Sequence, residues 1–118
     1  MPSYTWPSLL AACILCTLNL GVADLSAQSS DIDRGEAILQ QKCARCHGIG
    51  RTDESHHPQA PPFRDVVKRY PVEYLAEALA EGIVSGHPDM PEFVFQPDEI
   101  NAILAYLDSL KRVAPNKP

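Results

Sequence analysis

A cysteine–histidine motif is the part of this sequence whose residue types and spacing allow chemistry. Residues 43–47 read CARCH, so that Cys43 and Cys46 lie three positions apart and His47 follows directly. On one turn of helix, two such thiols can each form a thioether with a vinyl group of a single porphyrin, and the next imidazole is then placed under the iron. The motif therefore predicts one covalently attached haem c, with His47 as an axial ligand.

Other uses of a cysteine pair agree less well with the rest of the sequence. A thioredoxin-like redox pair needs a βαβ setting, and the chain shows no strand pattern. A zinc site needs a second pair of ligands at similar spacing. His56 and His57 are the only candidates for that pair, and adjacent side chains point in different directions.

The second axial position is predicted at Met90, which lies in a loop between two prolines. A methionine thioether opposite histidine is the ligand pairing of electron-transfer cytochromes. The prolines restrict the backbone on both sides of Met90. A methionine between Asp and Pro in a polar loop is a poor candidate for a core residue. His87 is the competing ligand, and His56 and His57 are further alternatives.

The N-terminus carries the pattern of a targeting segment. Residues 9–20 are nearly all apolar, and a run of this length suits a signal-peptide core better than a membrane span. We expect a signal peptide over residues 1–27, with cleavage near Ala27 or alternatively near Ala23. One alternative is an uncleaved anchor, since no Lys or Arg precedes Arg34 as a signal peptide would normally require. The other is a lipoprotein, since residues 10–13 resemble a lipobox that ends at Cys13.

Cleavage of the expected leader on export to the periplasm would reduce the number of residues that could bind the haem. Removal of the leader takes Cys13 and Cys16 with it, and leaves Cys43 and Cys46 as the only thiols and Met90 as the only methionine. The remaining chain, residues 28–118, is expected to form one domain without a membrane span, with a frayed tail from about residue 113.

The hydrophobic periodicity predicts an all-α fold of three to four helices joined by long loops. Helices are expected over residues 31–43, 63–70, 71–81 and 97–110, with a helix cap at Ser30 or Asp31. The last helix has the strongest signals, which are a proline at its start, acidic residues in its first turn and a regular apolar stripe. A protein-only core in so small a domain is marginal, and a buried haem wrapped by the loops would complete it.

The composition argues against several classes of partner. The chain has 118 residues, a formal net charge of −5 and no basic run. Nucleic acids and anionic membrane surfaces attract basic proteins, so neither is expected as a partner.

The motif, the distal methionine and the helix pattern together resemble the class I, monohaem c-type cytochromes of the bacterial periplasmic type. CARCH matches the haem-binding motif of that family, and Met90 followed by Pro91 looks like its distal methionine. Pro61 resembles the proline whose carbonyl accepts a hydrogen bond from the proximal histidine, with Pro62 as the alternative. The resemblance extends to four residues where the first and last helices cross, which are Gly35, Leu39, Ile103 and Tyr106.

This resemblance implies an electron carrier rather than an enzyme, with redox proteins of unidentified type as partners. The alternatives are a cytochrome subunit or dedicated acceptor of a periplasmic dehydrogenase and, less favoured, a peroxidase or sensor with an open iron position. Many family members place a tryptophan near a haem propionate, and the mature chain has none. Four residues are open alternatives for that role, namely Arg51, Arg64, Tyr70 and Tyr74.

Overall fold

The structure, a computed structural model, describes residues 22–82 and 87–112. Most of the expected signal peptide and the tail from residue 113 lie outside these ranges. The elements are helix α1 (Val22–Lys42), helix α2 (Phe63–Arg69), a short 3-10 helix (Val72–Tyr74), helix α3 (Leu75–Glu81) and helix α4 (Pro97–Lys111). The described ranges contain four α-helices and no strand, so the all-α prediction is confirmed. No helix within them is long and apolar enough to cross a membrane.

Helix α1 begins earlier than the sequence pattern predicted. It starts at Val22 and runs through both expected cleavage positions without a break. The predicted cap at Ser30 or Asp31 is wrong, because the hydroxyls of Ser29 and Ser30 donate to carbonyls three residues earlier, at 2.9 and 2.7 Å. A serine that bonds back into its own helix is no longer available to cap a new one.

The core centres on the crossing of α1 and α4. Gly35 allows the two backbones to approach closely, since a Cβ at this position would lie 2.0 Å from the carbonyl oxygen of Ala102. Leu39 and Ile103 are 2% and 0% exposed beside this contact. The crossing therefore contains the most completely buried hydrophobic side chains of the described residues.

Helix α4 has a defined start and end. Pro97 occupies its first turn, and the Glu99 carboxylate accepts a hydrogen bond of 2.9 Å from the Gln96 N–H. At the other end, the Arg51 guanidinium donates to three carbonyls, those of Ser109, Leu110 and Arg112, at 2.5, 3.3 and 2.8 Å. The loop that follows the CARCH motif is thereby attached to the end of the last helix.

Helix α3 supports the stretch that follows Met90. The expected helix over residues 71–81 begins as a 3-10 turn and becomes α-helical only at Leu75. It ends at Glu81, and Gly82 follows with a φ of 98°, a conformation that favours glycine. The Phe95 N–H donates to the Leu79 carbonyl at 3.0 Å, and both side chains are buried. This contact holds residues 91–96 against the helices.

Candidate functional site

The cysteine–histidine motif lies at the end of α1 and continues its turn. The Cys43 N–H donates to the Leu39 carbonyl at 2.8 Å, and the N–H groups of Cys46 and His47 donate to the Cys43 carbonyl at 3.0 and 2.9 Å. Both cysteines are half-buried and neither is in a disulfide. The two thiols are therefore free and are carried by a single hydrogen-bonded turn.

The surroundings of Cys43 are apolar. Burial raises the pKa of its thiol to about 11, and the neighbouring Cys46 adds to this shift. A redox-active cysteine pair depends on a thiol whose pKa is lowered instead, so the site does not have the electrostatics of a thioredoxin-like pair. Within residues 22–82 and 87–112, no three side chains of His, Cys, Asp or Glu are grouped so as to hold a metal ion by themselves.

The His47 ring is held on two sides. Its Nδ1 lies 2.8 Å from the carbonyl oxygen of Pro61, and its plane stacks on the Phe63 ring at a centroid distance of 5.1 Å. A carbonyl oxygen can only accept, so Nδ1 carries a proton, and in the neutral ring the lone pair is on Nε2. The ring thus presents one unprotonated nitrogen, as an iron ligand must.

Met90 lies half-buried in a turn that its own N–H closes by donating to the His87 carbonyl at 3.2 Å. Several large apolar side chains pack against the core but remain partly uncovered, among them Phe63, Leu75, Phe93 and Leu104. Two free thiols, an oriented imidazole, a thioether and an incompletely covered apolar surface together suit a haem, whose macrocycle is flat and apolar. The residues present therefore agree with the predicted cofactor.

The structure gives other partners to the two arginines that were open alternatives for a propionate contact. Arg51 donates to carbonyls at the end of α4. Arg64 donates to the Asp53 carbonyl and, at 2.9 Å, to the Glu54 carboxylate. The remaining two alternatives, Tyr70 and Tyr74, are 56% and 76% exposed.

A contact between two loops was missed by sequence reasoning. His57 and Gln59 follow the motif, and they meet His87 and Asp89 of the turn that carries Met90. The His57 and His87 rings lie edge to face, with centroids 5.5 Å apart. Gln59 and His87 are 28 positions apart, so no local periodicity connects them. These four residues are called the inter-loop cluster below.

The family that this chain matches agrees with a haem at this site. Residues 30–107 match the family model described as cytochrome C oxidase, cbb3-type, subunit III. The chain belongs to this family of c-type cytochrome domains. The match includes the CARCH motif, Met90 and the crossing of α1 with α4.

Two curated relatives extend the similarity over most of this cytochrome. It is 29% identical to "Cytochrome c-552" of Bradyrhizobium diazoefficiens over 98 residues, which are 83% of this chain and 92% of the relative. It is 31% identical to "Cytochrome c-553-like" of Synechocystis sp. over 104 residues, 86% of this chain and 92% of the relative. No solved structure matches it significantly. These matches confirm a monohaem c-type cytochrome with one covalently bound haem c, and hence an electron-transfer haem protein.

Proposed function

We propose that this cytochrome carries single electrons between redox proteins in the periplasm. In this proposal Cys43 and Cys46 attach the haem, and His47 and Met90 are the axial ligands of its iron. The observation that carries the proposal is the hydrogen bond from His47 Nδ1 to the Pro61 carbonyl, because it leaves Nε2 available to a metal. When bound, the haem supplies a centre that gains or loses one electron.

The part played by His47 follows from its two contacts. Donation from Nδ1–H to the Pro61 carbonyl makes Nε2 more basic and fixes the orientation of the ring. The stacked Phe63 ring restricts rotation further and covers one face of the imidazole. Both contacts keep the ligand in one position, which reduces the rearrangement that accompanies each change of iron oxidation state.

Met90 supports the proposal through its chemistry and its surroundings. It is one of two methionines in the chain, and the other is Met1, within the predicted leader. Its side chain is half-buried although it lies in a polar, proline-flanked turn. A thioether ligand favours the reduced iron and raises the reduction potential. If His47 and Met90 both bind the iron, it would have no open position for a substrate, and the protein would act as a carrier rather than as an enzyme.

The periplasmic location rests on the predicted leader and on the site of haem attachment. The apolar run at residues 9–20 is followed by small residues that suit cleavage near Ala27 or Ala23. Covalent haem attachment takes place outside the cytoplasm, so export and the CARCH motif support the same compartment. N-terminal sequencing of the purified protein tests the cleavage.

A second candidate function is that of a dedicated subunit or acceptor in a larger redox enzyme. The description of the matching family names a subunit of an oxidase. Among the residues that the structure describes, the exposed large apolar side chains are those of Tyr70, Tyr74 and Val94. Co-purification of the native cytochrome with a catalytic chain at constant stoichiometry supports this candidate, whereas a free monomer supports the mobile carrier.

Optical spectroscopy of the purified holoprotein tests the ligand set. We expect the reduced spectrum of a c-type haem and, in the oxidised form, the weak charge-transfer band of a thioether–iron bond. Met90→Ala should abolish that band and lower the reduction potential. Val94→Ala is the matched control, because Val94 is a largely exposed residue in the following segment and should leave both readings unchanged. An oxidised spectrum that Met90→Ala does not change refutes methionine ligation.

A further inference from the structure

The short segment of residues 57–61 is attached to the haem-binding motif at both ends. At its start, the His57 N–H donates to the Cys46 carbonyl at 3.1 Å. At its end, the Pro61 carbonyl accepts the hydrogen bond from His47. Between them, the Ala60 N–H donates to the His57 carbonyl at 3.1 Å, which closes a turn. The segment therefore has a fixed position relative to Cys46 and His47.

The same segment contacts the turn that carries Met90 through two reciprocal interactions. His87 Nδ1 accepts from the Asp89 N–H at 3.4 Å, so Nε2 carries the proton and donates to the Gln59 side-chain oxygen. His57 Nδ1 accepts from the Gln59 N–H at 3.2 Å, so its Nε2–H faces the Asp89 carboxylate at 3.5 Å. A backbone N–H thus fixes the tautomer of each histidine, and each ring directs its remaining N–H to the opposite loop.

Met90 is directly coupled to these contacts. Its N–H donates to the carbonyl of His87, the residue that donates to Gln59. The position of the thioether is therefore linked, through two hydrogen bonds, to a segment that is itself attached to the proximal histidine.

We propose that His57 and Gln59 are positioning residues, which hold the Met90 turn against the haem-binding motif and so set how readily an external ligand displaces Met90 from the iron. The inference rests on the proposed ligation by Met90. It assigns a role in ligand retention to two residues outside the motif, neither of which touches the iron.

The expected effect is moderate, because the inter-loop cluster is close to the surface. A hydrogen bond near the surface contributes little net stability, because both of its groups can bond to water instead. Removal of the Gln59 side chain should therefore raise the apparent affinity of the oxidised protein for imidazole about two- to fivefold. The gain comes from a smaller cost of moving the Met90 turn away from the haem.

The test is a titration of the oxidised holoprotein with imidazole, followed by loss of the thioether–iron band. Gln59→Ala should bind imidazole more tightly than wild type. Gln59→Glu keeps an acceptor oxygen for the His87 N–H and should restore an affinity close to that of wild type. Gln41→Ala is the matched control, since Gln41 is an exposed glutamine on α1 and should not change the affinity.

The outcomes separate this inference from the proposed ligand set. If wild type shows the thioether–iron band but Gln59→Ala and wild type bind imidazole equally, the positioning role is refuted while methionine ligation stands. If wild type lacks the band, ligation by Met90 is refuted and the positioning role with it. Equal changes in Gln59→Ala and Gln41→Ala would also refute the role, because they would show no specific contribution of the inter-loop cluster.

Discussion

Replacement of Gly35 by alanine tests the crossing of α1 and α4 directly. An added methyl carbon would lie 2.0 Å from the Ala102 carbonyl oxygen, 2.6 Å from the Ala102 carbonyl carbon and 2.9 Å from the Tyr106 Cβ. Non-bonded heavy atoms normally remain about 3.5 Å apart. Two of the three opposing atoms belong to the backbone of α4, so no rotation of a side chain relieves the overlap. The helices would have to separate by about 1.5 Å.

The free-energy change combines two opposing effects. Overpacking of a well-packed core costs about 1–3 kcal/mol and occasionally more, and a backbone overlap of this size belongs at the upper end. Alanine in place of glycine in a helix interior stabilises the fold by about 1 kcal/mol, because alanine has the higher helix propensity. We expect a net loss of about 2 kcal/mol, which lowers the melting temperature of a domain of this size by about 8–16 °C.

Thermal unfolding of the oxidised holoprotein, followed by circular dichroism, measures this loss. The reverse substitution at an exposed position of the same helix, Ala37→Gly, gives the propensity contribution alone and should cost about 1 kcal/mol. Gly35→Ala must be destabilising despite its favourable propensity. A Gly35→Ala protein as stable as wild type, or more stable by the propensity increment, would refute the close approach of the two backbones.

Two further predictions concern contacts of the loop after the motif. The Tyr106 hydroxyl donates to the Ile49 carbonyl at 3.1 Å, and burial, with a smaller contribution from the Glu36 carboxylate, raises the pKa of Tyr106 to about 12. A raised pKa stabilises the fold below about pH 10, and this contribution is lost as the pH rises through about 12. In guanidinium unfolding at about pH 7, Tyr106→Phe should therefore lower the free energy of unfolding by about 1 kcal/mol. When the pH is raised to about 11, the variant should lose less stability than wild type, because it has no hydroxyl to ionise. Equal losses of stability in the two proteins between these pH values would contradict the assignment. Arg51→Ala removes the donor to the last carbonyls of α4 and should lower the free energy of unfolding by about 1 kcal/mol in the same assay. The control is Arg69→Ala at an exposed position, which should lower it by less than about 0.5 kcal/mol. Equal effects of the two substitutions would contradict the capping role of Arg51.

The sequence predicted the elements whose signals are local. Helix α4 was expected over residues 97–110 and extends over Pro97–Lys111, because its proline, its acidic first turn and its apolar stripe all indicate the same element. The hydrogen bond between His47 and the Pro61 carbonyl was expected from family resemblance and is present. The expected end of the 71–81 helix is also present, since α3 ends at Glu81 and is followed by Gly82, whose positive φ favours glycine.

The remaining features depend on partners that sequence patterns do not specify. The start of α1 was predicted at residue 31, nine residues later than its observed start at Val22. A serine such as Ser30 can cap a helix or bond back within one, and the sequence alone does not distinguish the two. The histidines at 57 and 87 were considered as alternative ligands, and the structure brings them together across two loops. The contact between Gly35 and Ala102 was missed, because Gly35 approaches the backbone carbonyl of Ala102 and a backbone group leaves no pattern in the sequence.

The continuity of α1 from Gly35 to the motif has a consequence for haem orientation. Cys43 follows Gly35 by eight residues of unbroken helical hydrogen bonding. The direction in which the Cys43 side chain leaves the helix axis is therefore determined by the place where α1 meets α4. Insertion of one residue between them would rotate the thiol by about 100° and advance it by about 1.5 Å. The helix crossing would therefore set the direction in which Cys43 holds a haem. The number of residues between Gly35 and Cys43 is constrained for this reason, even where their side chains face solvent.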